Sequence, residues 1–200
     1  MGLQKMTYPI DGGLFAELAA LSPDEVCKRA ACRYDAARMS YILSAWGDAY
    51  EITPEKRRID CLYTEGHGPH AYFSVFLIHH LLRVPETGAV HEWISEKDIP
   101  GGVTFFRGPH EIPTREIADR YGNDVDAFRK RCEKLGGQPL PMADAASSFQ
   151  VTPRTPVAIL YWQGDDDFPP EAKILFDRSL AGYLALDAIY ALAVDICARF

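Results

Sequence analysis

The sequence predicts a single α+β domain over residues 1–200, in which an antiparallel sheet packs against a buried helix at about residues 71–84 and an amphipathic C-terminal helix. Three observations predict this class. Strand-forming runs follow one another across short turns, one apolar helical stretch has no polar face, and neither a repeat nor a linker divides the chain. A chain of 200 residues buries roughly 70% of its unfolded surface, enough for a core without a metal or a disulfide.

Composition and charge argue against several classes of function. The net charge of -7 offers no basic surface to a polyanion, so we do not expect nucleic-acid binding. The absence of a signal-peptide-like block and of a run of about 18 apolar residues predicts a cytoplasmic protein without a membrane segment. The five cysteines are scattered and form no C-x-x-C pair, which predicts reduced, mostly buried thiols.

Two helices are predicted at the beginning of the chain. Residues 13–21 have the pattern of a short helix. A second helix should start at Ser22-Pro23, because serine can cap a helix and proline suits the first helical position. We expect it to continue to about Ala37. Cys27 and Cys32 would then point about 140° apart and could not share a metal.

A β-meander and the central helix follow. Strands are predicted at 41–46, 49–53 and 59–63, with Gly47-Asp48 as a two-residue type II′ hairpin connection between the first two. Residues 71–84 are apolar nearly all round, which predicts a helix buried on several sides.

The second half alternates short elements. Residues 103–106 resemble a strand, and an αα-hairpin should follow, with one helix at 114–121 and another capped by Asn123. Residues 147–152 and 156–162 should then pair as antiparallel strands across a tight turn.

The C-terminal helix, residues 185–199, is predicted to be amphipathic, with Asp195 and Arg199 on its polar face. A purely structural or oligomeric role would need an exposed apolar face. Tyr190 and Val194, at the margin of this helix, are the candidates for such a face.

The stretch 156–177 carries the strongest candidate site. A buried strand ends at Trp162 and leads into Asp165-Asp166-Asp167, Phe168 and a double proline. Asp165 and Asp167 could present carboxylates to a hard divalent cation. Alternatively the three aspartates form a turn, and one of them caps a helix that begins at Pro169-Pro170-Glu171.

Two histidine pairs are further candidates. His67 and His70 precede the central helix, where the free amides of a helix N-terminus favour anions, although a solvated loop is the alternative. His79 and His80 lie within that helix and could bond to backbone carbonyls in the core. They could instead be axial ligands of a tetrapyrrole, a haem or a corrinoid, although the cobalamin-type pattern Asp-x-His-x-x-Gly does not occur.

Several motifs point to one family. They are Leu77-Ile78-His79-His80-Leu81-Leu82, Trp93-Ile94-Ser95 with Ile99-Pro100-Gly101-Gly102, Tyr121-Gly122, Leu135-Gly136-Gly137, and Trp162-Gln163-Gly164-Asp165-Asp166-Asp167-Phe168-Pro169 running into Leu175-Phe176-Asp177. From about residue 40 onward the sequence resembles the domain of unknown function 3786 family of bacteria and archaea, mainly anaerobes. Some members carry an additional four-iron–four-sulfur-type domain. The resemblance therefore implies anaerobic redox or one-carbon metabolism, with an iron–sulfur or corrinoid protein as a possible partner.

These observations leave two functional hypotheses. The first is an accessory protein that binds a ligand or a partner, and the alternative is a divalent-metal-dependent enzyme that uses Asp165–Asp167. No serine-hydrolase, P-loop or dinucleotide motif supports a standard enzyme class. The candidate ligand-binding residues are His67, His70, His79, His80, Trp162, Asp165, Asp166, Asp167, Phe168 and Asp177.

Overall fold

A computed structural model of the protein describes residues 10–63 and 71–200. These residues form seven α-helices and two antiparallel sheets, which confirms the predicted α+β class and its C-terminal helix. Within the two described ranges, no helix is both long enough and apolar enough to cross a bilayer.

The first two helices are α1 (Gly12–Ala20) and α2 (Pro23–Ala30). The prediction that α2 continues to Ala37 is wrong. Ala31 adopts a left-handed conformation with φ 51°, and Arg33 already begins a strand. Backbone pairing in the sheet replaces the helix there, and the Asp35 carboxylate accepts the amide N–H of Ala37 at 3.0 Å to form the next turn.

The first sheet contains β1 (Arg33–Asp35), β2 (Ser40–Ala45), β3 (Asp48–Thr53) and β4 (Arg58–Cys61) in sequential order. The predicted meander is therefore confirmed, with one additional strand at its edge. Every neighbouring pair is antiparallel.

The β2–β3 turn differs by one residue from the prediction. Its central residues are Trp46 and Gly47, with φ 52° and 80°, and Ala45 pairs with Asp48. Positive φ at both central positions is the type I′ geometry, not the predicted type II′ geometry. The Trp46 amide donates to the carbonyl of Val151 at 2.9 Å, so this turn joins the first sheet to the second.

The second sheet has the order β5-β9-β8-β7-β6, and its central strand β8 is almost completely buried. The strands are β5 (Trp93–Ile94), β6 (Gln138–Pro139), β7 (Ala145–Thr152), β8 (Thr155–Trp162) and β9 (Glu171–Asp177). Pairing of β7 with β8 confirms the predicted antiparallel strands in this region.

Three helices lie between β5 and β6 of the second sheet: α4 (Gly102–Phe105), α5 (Thr114–Tyr121) and α6 (Val125–Lys134). The αα-hairpin is confirmed, but residues 103–106 are helical and not a strand. A Cβ at Gly102 would lie 1.9 Å from the Glu96 carbonyl oxygen, so only glycine fits this close backbone approach.

The core helix α3 (Ala71–Arg83) packs against α7 (Leu186–Arg199). The prediction that Asp195 faces solvent on α7 is wrong, because this residue is only 3% exposed. Its carboxylate accepts from Arg199 Nε at 2.7 Å, while the guanidinium carbon lies 4.9 Å from the centroid of the Trp46 ring. The sequence pattern of α7 is amphipathic, but the helix lies between other elements and buries both faces.

Candidate functional site

Among the residues that the structure describes, His80 and the three aspartates lie at opposite ends of the central strand β8. His80 contacts Thr155, the first residue of β8, whereas the three aspartates follow Trp162, its last residue. At about 3.3 Å per residue, an eight-residue strand separates its two ends by about 23 Å. The histidines of α3 and the aspartates therefore do not form one site.

We call residues Gln163–Pro170 the acidic loop. It connects β8 to β9 in the middle of the sheet, and Trp162, half-buried, pairs with Glu171 at its base. The alternative prediction, in which a helix begins at Pro169-Pro170-Glu171, is wrong. Glu171 instead begins β9, because this segment pairs with strands on both of its sides.

An internal turn fixes the shape of the acidic loop. Asp165 Oδ1 accepts the amide N–H of Asp167 at 2.9 Å and that of Phe168 at 2.8 Å, and the Asp165 amide donates to the Phe168 carbonyl at 2.8 Å. The prediction of an aspartate turn is thus confirmed. Asp166 and Asp167 are exposed, and Phe168 is 71% exposed at the tip.

Two residues from distant parts of the chain anchor the loop from outside. Asn123 Oδ1 accepts the Gly164 amide at 2.8 Å, and Gln163 Nε2 donates to the Asn123 carbonyl at 3.1 Å. Asp144 Oδ2 accepts the Gln163 amide at 2.8 Å. Asn123 was predicted to cap α6, but Asp124 performs that role by accepting the Ala127 amide. Nothing in the local sequence indicates these anchors, since they act across the fold.

This geometry gives little support to the hypothesis that Asp165 and Asp167 bind a divalent cation. Asp165 Oδ1 is already occupied by two amide donors, and the described residues contain no group of three or more His, Cys, Asp or Glu that could hold a metal ion. Asp177, a further candidate ligand, lies at the other end of β9.

Asp177 is buried and anchors neighbouring backbone. Its Oδ1 accepts the amides of Val90 and Ser179, both at 3.0 Å. Burial opposes ionisation of this carboxyl, but hydrogen bonds from Ser179 and from the Val90 amide outweigh it, so the pKa is lowered. The carboxylate therefore holds the segment before β5 against the end of β9.

His80 is fully buried between α3 and the β7–β8 turn. Its Nε2 lies 3.2 Å from Thr152 Oγ1 and its Nδ1 lies 3.3 Å from Thr155 Oγ1, which in turn lies 3.2 Å from the Tyr183 hydroxyl. Burial lowers the pKa of His80 to about 3. The imidazole is neutral at physiological pH, and both of its nitrogens already face hydroxyl groups, an arrangement that does not fit an axial ligand of a haem or corrinoid.

His79 does not extend this network. His79 is half-buried on a different face of α3, and burial lowers its pKa while the nearby Asp187 carboxylate opposes that effect. His67 and His70 lie outside the described residues.

An aromatic groove lies beside α4 and α7, and the sequence patterns did not indicate it. The rings of Phe105 and His110 stack at 4.6 Å between centroids, and His110 meets Tyr190 edge to face at 5.5 Å. The groove has a volume of about 780 Å³ and is lined by Gly101, Thr104, Phe105, Arg107, Gly108, Pro109, His110 and Leu186. The Tyr190 ring is half-buried in this contact and Val194 is buried, so the predicted apolar margin of α7 is largely covered.

Replacing Asp165 with alanine tests the turn. We expect a loss of about 1–3 kcal/mol of stability, since two hydrogen bonds of about 0.5–1.5 kcal/mol each disappear. Urea unfolding measures the loss, and hydrogen exchange at the Phe168 amide should accelerate. Asp166→Ala is the matched control, because it removes the same charge from an exposed neighbour. Equal effects of both changes would contradict a bracing role for Asp165.

Comparison with known proteins gives one match. A family model described as domain of unknown function (DUF3786) matches residues 22–199, and so extends further toward the N-terminus than the sequence motifs. No match was found among curated proteins or among solved structures.

Proposed function

The chain belongs to the DUF3786 family, and we propose that it is an accessory protein that binds a partner protein through the acidic loop. The observation that carries this proposal is the position of Phe168. This ring is 71% exposed at the tip of a loop that is braced from within by Asp165 and anchored from outside by Asn123.

The hydrogen bonds that hold the acidic loop in one conformation favour binding by this loop. A loop held by several hydrogen bonds loses little conformational entropy on binding, so more of the contact energy contributes to affinity. Aromatic side chains that enter a pocket commonly dominate such interfaces. Phe168 therefore has the properties of an anchor residue, presented in a fixed direction at the end of the sheet.

Charge indicates the chemistry of the partner surface. Asp166 and Asp167 directly precede Phe168 in the chain and are exposed, within a protein of net charge -7. Carboxylates at the rim of an interface steer association toward a positive surface. The partner we propose has an apolar pocket bordered by lysine or arginine side chains.

The family resemblance supports a narrower proposal for the class of partner. We propose an iron–sulfur or corrinoid protein of anaerobic redox or one-carbon metabolism, bound in the cytoplasm. The partner would hold the metal group, because His80 has both ring nitrogens engaged with threonine hydroxyls. The alternative proposal, a divalent-metal enzyme, would use Asp165 and Asp167. The substitutions Asp165→Asn and Asp167→Asn distinguish the two proposals. If the protein is a divalent-metal enzyme, they must abolish metal binding.

Phe168→Ala tests the docking role. The protein would be used to capture binding proteins from a native anaerobic lysate, and each protein identified would be purified and its affinity measured directly. We expect Phe168→Ala to weaken binding about 30-fold or more, as for an anchor worth about 2 kcal/mol. Asp166→Asn with Asp167→Asn should slow association at low salt and have little effect at high salt.

Val103→Ala is the matched control, since Val103 is an apolar residue with a comparable exposure of 65% outside the acidic loop. It should leave the affinity unchanged. Wild-type affinity in Phe168→Ala, or an equal loss in Val103→Ala, would overturn the proposal.

A further inference from the structure

We infer that Cys27 and Cys32 form a dithiol site that reacts with low-molecular-weight disulfides and closes to an intramolecular disulfide. The two sulfur atoms lie 3.7 Å apart, and both side chains are half-buried. This juxtaposition corrects the sequence expectation that the two thiols point away from each other. The inference is independent of the acidic loop and of the partner proposed for it.

The end of α2 creates the pair. The helix stops at Ala30, and the left-handed Ala31 turns the chain back so that the Cys32 amide donates to the Cys27 carbonyl at 3.2 Å. A hydrogen bond of this kind closes the end of a helix and brings its flanking residues together. A disulfide needs a sulfur separation of about 2.05 Å, so the two sulfurs must approach by about 1.7 Å.

The residues between the two cysteines are held on two sides. Arg29 Nη1 donates to the Val84 carbonyl at 2.9 Å, beyond the end of α3. From the β7–β8 turn, Arg154 Nε donates to the Arg29 carbonyl at 3.2 Å. These contacts fix the backbone that carries both thiols, so the pair is positioned before any oxidant arrives.

The surroundings of the two thiols differ. The Cys32 thiol donates to Cys27 Sγ, which favours the thiolate form of Cys27. Burial raises the pKa of both thiols, and the neighbouring Cys27 raises that of Cys32 further. Because the pKa of Cys32 is raised more than that of Cys27, we assign Cys27 as the attacking thiol and Cys32, 3.7 Å away, as the resolving thiol. Exchange should accelerate as the pH rises, because the thiolate is the nucleophile.

The reaction balances in two steps. The Cys27 thiol gives its proton to solvent, and its sulfur attacks one sulfur of a small disulfide RSSR, forming a mixed disulfide and releasing RS⁻. Cys32 then loses its proton, attacks Cys27 Sγ and expels the second RS⁻. Both thiolates take up protons as RSH. The protein has lost two electrons and two protons, and RSSR has been reduced to two RSH.

The test incubates the native, fully reduced protein with oxidised glutathione at pH 8, then denatures and alkylates it for intact-mass analysis. The chain has five cysteines, so the reduced protein carries five labels and the oxidised protein should carry three. Peptide mapping should place the disulfide between Cys27 and Cys32. The rate should rise as the pH is raised from 7 to 9.

Variants separate this site from general thiol oxidation. Cys27→Ser and Cys32→Ser should each abolish the internal disulfide. Cys61→Ser should leave it intact, since Cys61 is also half-buried but lies on the first sheet. Five labels on the treated wild type, glutathione attached without a crosslink, or a disulfide mapped to other cysteines would overturn the inference.

Discussion

Replacing Asp195 with alanine is expected to reduce the free energy of unfolding by about 3–5 kcal/mol, the usual cost of removing one member of a buried ion pair. Asp195 is 3% exposed, and its two oxygens accept from Arg199 Nε at 2.7 Å and Nη2 at 3.3 Å. The guanidinium lies near the Trp46 and Phe73 rings, with its carbon 4.9 and 5.0 Å from their centroids. Without the carboxylate, this cation remains largely away from water and loses its charged partner.

Urea unfolding of the variant measures the loss. Asp126→Ala is the matched control, because it breaks an aspartate–arginine pair on α6 whose side chains are 79% and 54% exposed. Exposed pairs of this kind contribute about 0.2–1 kcal/mol. A double variant, Asp195→Leu with Arg199→Met, should recover much of the stability, since it removes both charges. Equal losses in Asp195→Ala and Asp126→Ala would contradict the buried-pair account.

Acidification is expected to destabilise the protein through His80, by about 1.4 kcal/mol per pH unit between about pH 6 and pH 4. The pKa of this imidazole falls from 6.5 to about 3 on folding, because burial disfavours the cation. In that window the unfolded chain binds a proton that the folded chain does not. The free energy of unfolding therefore rises with pH through this window and levels off above about pH 6.5. The contribution of His80 is progressively lost as the pH falls.

Stability measured at several pH values in the wild type and in His80→Gln tests this linkage. The variant should be less stable at pH 7, because it loses the imidazole contacts with Thr152 and Thr155. Between about pH 4 and pH 6, the slope of its unfolding free energy against pH should be smaller than the wild-type slope by the contribution of about one proton. His79→Gln is the control at the half-buried neighbouring position and should change the slope less. Parallel curves for wild type and His80→Gln would show that His80 does not carry the effect.

Local sequence patterns predicted the elements that are specified by residues close together in the chain. The apolar run at 71–84 and the strand pair at 147–162 were predicted correctly, since hydrophobic periodicity and turn residues are properties of neighbouring residues. The turn built on Asp165 is equally local, because its donors lie two and three residues further along the chain. For the same reason the motifs were sufficient to identify the family.

Distant contacts decided the features that local patterns missed. Asn123 is a plausible helix cap in sequence, but in the fold it holds Gly164, a residue 41 positions away. The α2 pattern continued past Ala30, yet strand pairing ended the helix and brought Cys27 against Cys32.

The sequence by itself determined the α+β class and the family, and it offered the aspartate turn as one of two alternatives for residues 165–167. Only the tertiary structure decided that His80 and the aspartates lie at opposite ends of β8, that Phe168 is exposed, and that Asp195 is buried against Arg199. The physical reason is that periodicity records which face of an element is apolar. It does not record how many neighbours will cover that element, or which polar groups those neighbours will bring.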